Sequence, residues 1–347
     1  MLLGEVVARL AYPLKRSLSW YHYDPRYGFR HRESYDALTN DWGEGKLWRF
    51  HTNSHGFRWP EWSFAAPRDA KRALVMGDSF TFGDALSDEE AFPGVAAARA
   101  GHSWQVINAG TSAWGPAHAL AYLESEGKAI EASCLVYAVF EGNDVIDVTT
   151  HGSYVLSEKK LVSKVDERTT VTTGTSRIRD ALRGPLYDFL LEHSQLFNII
   201  RGAGLSTVAK HDSPARAHDP YHDTSKADFA GGLELTNAVL DRMAAVAHAR
   251  FGGFVLILIP MRGQLTHGES QSEMPFPRWM AEATHASVAD NAAKRGIPVL
   301  DLRAVLPREP TELAQLYFQR DFHFNAAGSR LVGEALAKQL PDLCDPK

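Results

Sequence analysis

Ala73-Leu74-Val75-Met76-Gly77-Asp78-Ser79-Phe80-Thr81-Phe82-Gly83 decides how this chain is read. Its first four residues are a short apolar run stopped by glycine, the pattern of a strand buried on both faces of a parallel sheet. An acidic segment follows, and then an alanine-rich stretch from about Val95 to Ala100 that reads as helix. A serine at the end of a strand, with a glycine on either side, is placed for nucleophilic attack. Its N–H can face the oxygen of an ester carbonyl. Taken alone, Ser79 could equally cap a helix, and a Gly-Asp-Ser triplet is weak evidence by itself. Three more blocks downstream change that.

Val106-Ile107-Asn108-Ala109-Gly110 is a second strand ending in glycine. Val136-Tyr137-Ala138-Val139-Phe140-Glu141-Gly142-Asn143-Asp144 is a third, ending in a glycine–asparagine pair. Asp321-Phe322-His323-Phe324-Asn325 stands before Ala326-Ala327-Gly328 and a helical run to Leu340. Serine, glycine, asparagine and histidine in this order resemble the SGNH hydrolases, also called the GDSL esterase and lipase family. The resemblance covers about Arg72 to Leu340. Upstream, Asn53-Ser54-His55-Gly56-Phe57-Arg58 resembles a segment found before the serine block in bacterial members.

Ester cleavage needs a nucleophile, a base, a group that orients the base, and donors for the oxyanion. Ser79 supplies the hydroxyl, His323 is the candidate base, and Asp321 is placed to hold the imidazole. Three donors are expected to converge on one oxygen: the N–H of Ser79, the N–H of Gly110 and the side-chain amide of Asn143. Each follows an expected strand, and in an open parallel sheet those carboxyl ends share one crevice. Gly110 lets the backbone approach a substrate closely.

Two features depart from the family pattern. The family usually places two residues between its aspartate and histidine; here only Phe322 intervenes, and Arg320 stands three before His323. Related acetyl-transferring and esterase branches use the shorter spacing, so Asp321 keeps the orienting role. Glu141 replaces the first glycine of the third block, leaving Asn143 in register. Several residues have plainer readings. Asp78 braces its loop, Asn143 and Asp144 could form an Asx turn, and Asn325 caps the last helix.

The formal net charge of −5, with no sustained basic block, gives nucleic acid no electrostatic hold. Cys134 and Cys344 lie far apart in sequence, which argues against a structural disulfide. No segment reaches the length of a membrane span. Residues 1–20 carry Leu3, Val6, Val7, Leu10 and Leu14 at helical spacing, interrupted by Arg9, Lys15 and Arg16. They read as an amphipathic helix packing on the main domain rather than a secretory signal, and the expected location is cytoplasmic, with peripheral membrane association or a removed export signal as the alternatives.

Residues 1–67 form an extension rich in aromatic residues, including Trp20, Tyr21, Tyr23, Tyr27, Trp48, Trp59 and Trp62, which could pack over the sheet or line a groove. Residues 68–347 form the main domain. Strands are expected near Ala73–Gly77, Gln105–Asn108, Leu135–Phe140, Phe254–Ile259 and Ile297–Leu300. Helices are expected over Leu233–Arg250, Arg278–Arg295 and Ala326–Leu340. This alternation predicts a three-layer α/β/α sandwich. The resemblance implies a flavodoxin-like order for its five parallel strands. A long insertion, about 145–230, follows the third strand; leucines and phenylalanines from Ile178 to Arg201 suggest helices that could cover the crevice. His211, His218 and His222 within it could bind a metal, but their irregular spacing favours a solvated loop, and His51 and His55 read as part of a turn. There is no complete Walker loop or dinucleotide fingerprint.

The sequence thus reads as a serine-dependent acyl-ester hydrolase needing neither cofactor nor metal, acting on a small-molecule or carbohydrate ester. An O-acyltransferase using the same site is the near alternative. A catalytically silent binding protein that kept the fold is the alternative from another class.

Overall fold

Alternating side-chain direction along continuously apolar strands builds two core layers, one on each face of a central sheet. In the first strand, β1 (Lys71–Met76), Leu74 and Met76 enter one layer while Ala73 and Val75 enter the other. β2 (Trp104–Asn108), β3 (Cys134–Phe140), β4 (Gly253–Ile259) and β5 (Val299–Asp301) complete a five-stranded sheet in the order β5-β4-β3-β1-β2. All its pairings are parallel. The order reverses direction between β1 and β3, the switch point where open α/β sheets bind ligands at the carboxyl ends of their strands. This computed structural model describes residues 2–11, 20–24, 26–40, 47–150, 152–158, 160–163, 190, 194, 196–197, 223–266 and 276–345.

The first layer lies against α3 (Pro116–Leu123) and α5 (Lys226–Arg250), through Leu120, Val239, Leu240 and Met243. The second lies against α2 (Phe92–Ala100) and α7 (Ala326–Cys344), through Phe92, Ala96, Val332, Leu336 and Leu340. α4 (Asp144–Thr150) and α6 (Arg278–Arg295) add Val148, Val288 and Ala292 to the first layer. A three-layer α/β/α fold with flavodoxin-like order is therefore present.

Two antiparallel ribbons precede the sheet, Tyr21–Asp24 with Gly28–His31 and Asp36–Asn40 with Leu47–His51. His51 thus ends a strand, and only His55 lies in the turn closed by the Thr52–Arg58 bridge. Trp20, Trp48 and Phe50 are buried with Phe82, one turn beyond Ser79. Tyr27 and Trp62 join the main core, whereas Trp59 is half exposed. The N-terminal helix, Leu2–Ala11, leaves Val6, Val7 and Leu10 exposed. Its Glu5 accepts hydrogen bonds from Ser194 and Leu196, so it meets the insertion. No described helix is long and apolar enough to cross a membrane.

One expectation fails. Cys134 and Cys344 form a disulfide, with Cα atoms 5.7 Å apart across a separation of 210 residues. Cys134 opens β3 and Cys344 closes α7. The last helix packs back along the sheet, so the chain's return cancels its sequence distance. His211, His218 and His222, and most of the Ile178–Arg201 run, lie outside the described residues. Of the insertion, α4, the ribbon Tyr154–Ser157 with Lys160–Ser163, residues 190, 194 and 196–197, and the start of α5 are described.

Candidate active site

Ser79 opens the single-turn helix α1 (Ser79–Phe82), immediately beyond β1. Asp78 is its N-cap and accepts from the Phe80 N–H at 3.0 Å. Gly83 ends it at φ 84, a left-handed conformation that costs glycine little, and donates to the Ser79 carbonyl at 2.9 Å. The nucleophile candidate thus sits on a turn fixed at both ends.

His323 arrives from the other end of the chain. Its carbonyl accepts from the Phe318 N–H, and Asn325 donates its N–H to Leu316 O and its side-chain amide to the carbonyls of Gln315 and Tyr317. Asn325 Oδ1 then caps α7 by accepting from Ala327 and Gly328. This clamp sets His323 Nε2 2.7 Å from Ser79 Oγ. Asp321 Oδ1 meets His323 Nδ1 and also accepts the His323 backbone N–H at 2.8 Å. One intervening residue therefore suffices, because the tight turn folds the carboxylate back onto its own histidine. Phe80 and Phe322 flank the imidazole, with ring centroids 4.7 and 4.3 Å away.

The electrostatics suit a histidine that gains a proton. Burial works against charge on His323, but Asp321, with Asp84 and Asp78 behind it, more than offsets this and raises its pKa. Burial likewise works against charge on Asp321, yet hydrogen bonds and charge from His323 hold it below the usual carboxylate value. Burial lifts Asp84 to about 6, against the pull of His323 and a 2.6 Å hydrogen bond from Ser112.

The expected oxyanion donors are engaged to different degrees. The Gly110 N–H donates to Asn108 Oδ1 at 3.0 Å, while Asn108 Nδ2 donates to Phe82 O at 3.3 Å. Glycine is required here by packing, since a Cβ at Gly110 would lie 2.6 Å from the Thr81 carbonyl carbon. Asn143 Nδ2 donates one hydrogen to Asp147 at 2.8 Å, which leaves its second amide hydrogen. Asp144 closes no Asx turn; its Oδ2 accepts backwards from the Phe140 N–H at 3.2 Å.

Sequence reasoning missed three supports of this arrangement. Arg58, 1% exposed, donates to Asp88 Oδ1 at 2.7 Å and to the carbonyls of Phe82, Gly83 and Leu86, the turn that follows Ser79. The Asn53–Arg58 block, noted only as a family-like segment, carries that clamp. Asn108 joins the second block to the serine helix. Glu141 fills a buried polar junction, accepting from Gln264, His285 and Arg303 at 2.8, 2.7 and 2.9 Å. Its substitution for glycine therefore serves the β3–α6 junction.

Residues 221–346 match the family described as SGNH hydrolase-like domain, acetyltransferase AlgX. That segment contains Asp321 and His323 but not Ser79. No curated protein matches the chain at a significant level. Among solved structures, a member of the lipolytic G-D-S-L family from Veillonella parvula aligns at 13% identity over 78% of this chain and 97% of its own, TM-score 0.44. The aryl esterase of M. smegmatis aligns at 14% identity over 79% and 100%, TM-score 0.42. Est24, a carbohydrate acetylesterase from Sinorhizobium meliloti, aligns at 11% identity over 79% and 99%, TM-score 0.42. Residues 221–346 are thus similar to the SGNH hydrolase-like family, and the 2-1-3-4-5 sheet has the strand order that the resemblance of the four ordered sequence blocks implied.

Proposed function

We propose that the protein is a serine-dependent acyl-ester hydrolase acting on a small-molecule or carbohydrate ester. The observation that carries this reading is the continuous relay from Ser79 Oγ through the His323 ring to Asp321. In the proposed cycle Ser79 Oγ attacks the ester carbonyl while Nε2 takes its proton. The tetrahedral oxyanion is met by the Ser79 N–H and the second amide hydrogen of Asn143, and by Gly110 as it shares its N–H with Asn108. His323 then protonates the leaving alcohol, an acyl-serine forms, and water activated by the same imidazole releases the acid. The Cys134–Cys344 disulfide fits an oxidising compartment better than the cytoplasm expected from sequence.

A fluorophosphonate probe tests the nucleophile. Labelling of the wild type that vanishes in Ser79→Ala supports the reading, and equal labelling or none in both proteins overturns it. The second reading is O-acyl transfer, favoured by the description of the family that matches residues 221–346. The same relay serves both, so the distinction lies in what clears the acyl-serine. With an acetyl ester and a glycan acceptor, acid alone as product supports hydrolysis, and acylated glycan supports transfer.

A further inference from the structure

Beneath Ser79 the fold buries two carboxyl groups that it does not fully pair. Asp78 and Asp144 are 1% and 0% exposed. One oxygen of each accepts a backbone N–H, from Phe80 and Phe140 respectively. The others, Asp78 Oδ2 and Asp144 Oδ1, are buried without a hydrogen-bond partner among the described residues, and so is the Tyr137 hydroxyl. The sheet brings these groups to one place. Met76, two residues before Asp78, pairs with Tyr137 in the neighbouring strand, and Asp144 is bonded back to that strand's last residue.

A bare carboxylate oxygen in a dry interior is costly, and two facing one another cannot both stay charged. We infer that Asp78 and Asp144 share one proton in a hydrogen bond that bolts the Ser79 loop to the Asn143 loop. Asp78 directly precedes the serine and Asp144 directly follows the asparagine, so this bond sets the spacing between them. Both are positioning residues. That functional consequence rests on the esterase reading; the shared proton itself does not.

The surrounding charges agree. Burial, and then the charge of Asp78, drives Asp144 well above the usual carboxylate range, with Asp147 adding to it. Burial lifts Asp78 to about 6, with His323 pulling it down and Asp84 pushing it up. Tyr137 is raised by burial and by Asp144, Asp78 and Asp147. The sign is that of raised acids. Unfolded carboxyls release their protons near the ordinary value while the native pair keeps one. Stability from this source is full at low pH and is lost as pH rises through the pair's own titration.

Asparagine at either position places an amide donor where the shared proton lies and keeps an acceptor for the backbone N–H. Asp78→Asn and Asp144→Asn should each fold and lose this decline of melting temperature with rising pH. The double variant sets two amide donors face to face. Its folded-to-unfolded ratio should fall about tenfold or more below the value expected from adding the single effects. Infrared difference spectra of the wild type at neutral pH should carry a protonated-carboxyl stretching band that both single variants lose. Strictly additive effects in the double variant, or absence of that band from the wild type, would overturn the shared proton. The wild-type spectrum decides the matter even if a variant fails to fold. None of these measurements needs turnover: an inactive protein with the band sinks only the esterase reading, and an active one without it sinks only the pair.

Discussion

Ser79 Oγ and His323 Nε2 stand 2.7 Å apart although 244 residues separate them along the chain. At that distance the proposed base can take the hydroxyl proton without rearrangement. Ser79→Ala and His323→Ala should each lower turnover of a short p-nitrophenyl ester by about 10⁴-fold or more. Far-ultraviolet circular dichroism should stay unchanged. Retained turnover in either variant removes that residue from the mechanism.

In the proposed cycle His323 acts as a neutral base, and its pKa is raised chiefly because the charge and hydrogen bond of Asp321 outweigh burial. The acid limb of the kcat/KM profile should therefore have its midpoint above the ordinary histidine value of about 6.5. Asp321→Asn should move that midpoint down and cut kcat by up to about 10⁴-fold, through loss of the anion and of the correct tautomer. An unmoved limb would mean that another group titrates there.

Asn143 keeps one amide hydrogen for developing charge, whereas Gly110 shares its own with Asn108. Asn143→Ala should lower kcat by roughly 10²-fold or more with a smaller change in KM, since its contribution grows in the transition state. Gly110→Ala should act differently. Its new methyl would crowd the serine helix and cost about 1–3 kcal/mol of stability, measured by urea unfolding.

The buried guanidinium of Arg58 ties Asp88 to the turn after Ser79. Arg58→Ala removes the guanidinium donor from Asp88 and three carbonyls, leaving Phe82 O to Asn108, Gly83 O to the Leu86 N–H and Asp88 to His51. It should cost about 3–5 kcal/mol in urea unfolding. Arg58→Lys, which retains charge but not the planar fork, should recover only part of that loss. If lysine restores full stability, the charge on Asp88 is what matters and the carbonyl contacts are incidental.

The sheet was legible because its central strands are buried on both faces. Continuous runs such as Leu135–Phe140 and Phe254–Ile259 have few competing readings, and their ends fall within one residue of β3 and β4. Ile297–Leu300 was harder, since polar Asp301 ends the short edge strand Val299–Asp301. The ribbons of residues 21–51 mix aromatic and charged side chains, and their pairing depends on tertiary contact with Phe82, which no local pattern records. The convergence of Ser79, Asp321 and His323 was readable because their types and order are chemically restrictive. Arg58 was not: an arginine is usually a surface residue, and only the fold reveals the carbonyls it serves. Glu141 was misleading for the related reason that its partners Gln264, His285 and Arg303 lie more than a hundred residues away.

The bridge between Cys134 and Cys344 encloses the whole insertion within one covalent ring. A protease cut within the insertion would yield two chains, one holding Ser79 and the other His323, that migrate together until a reductant parts them. Cleaved protein retaining its activity under oxidising conditions would show that the two halves of the site need only remain docked, not remain one polypeptide.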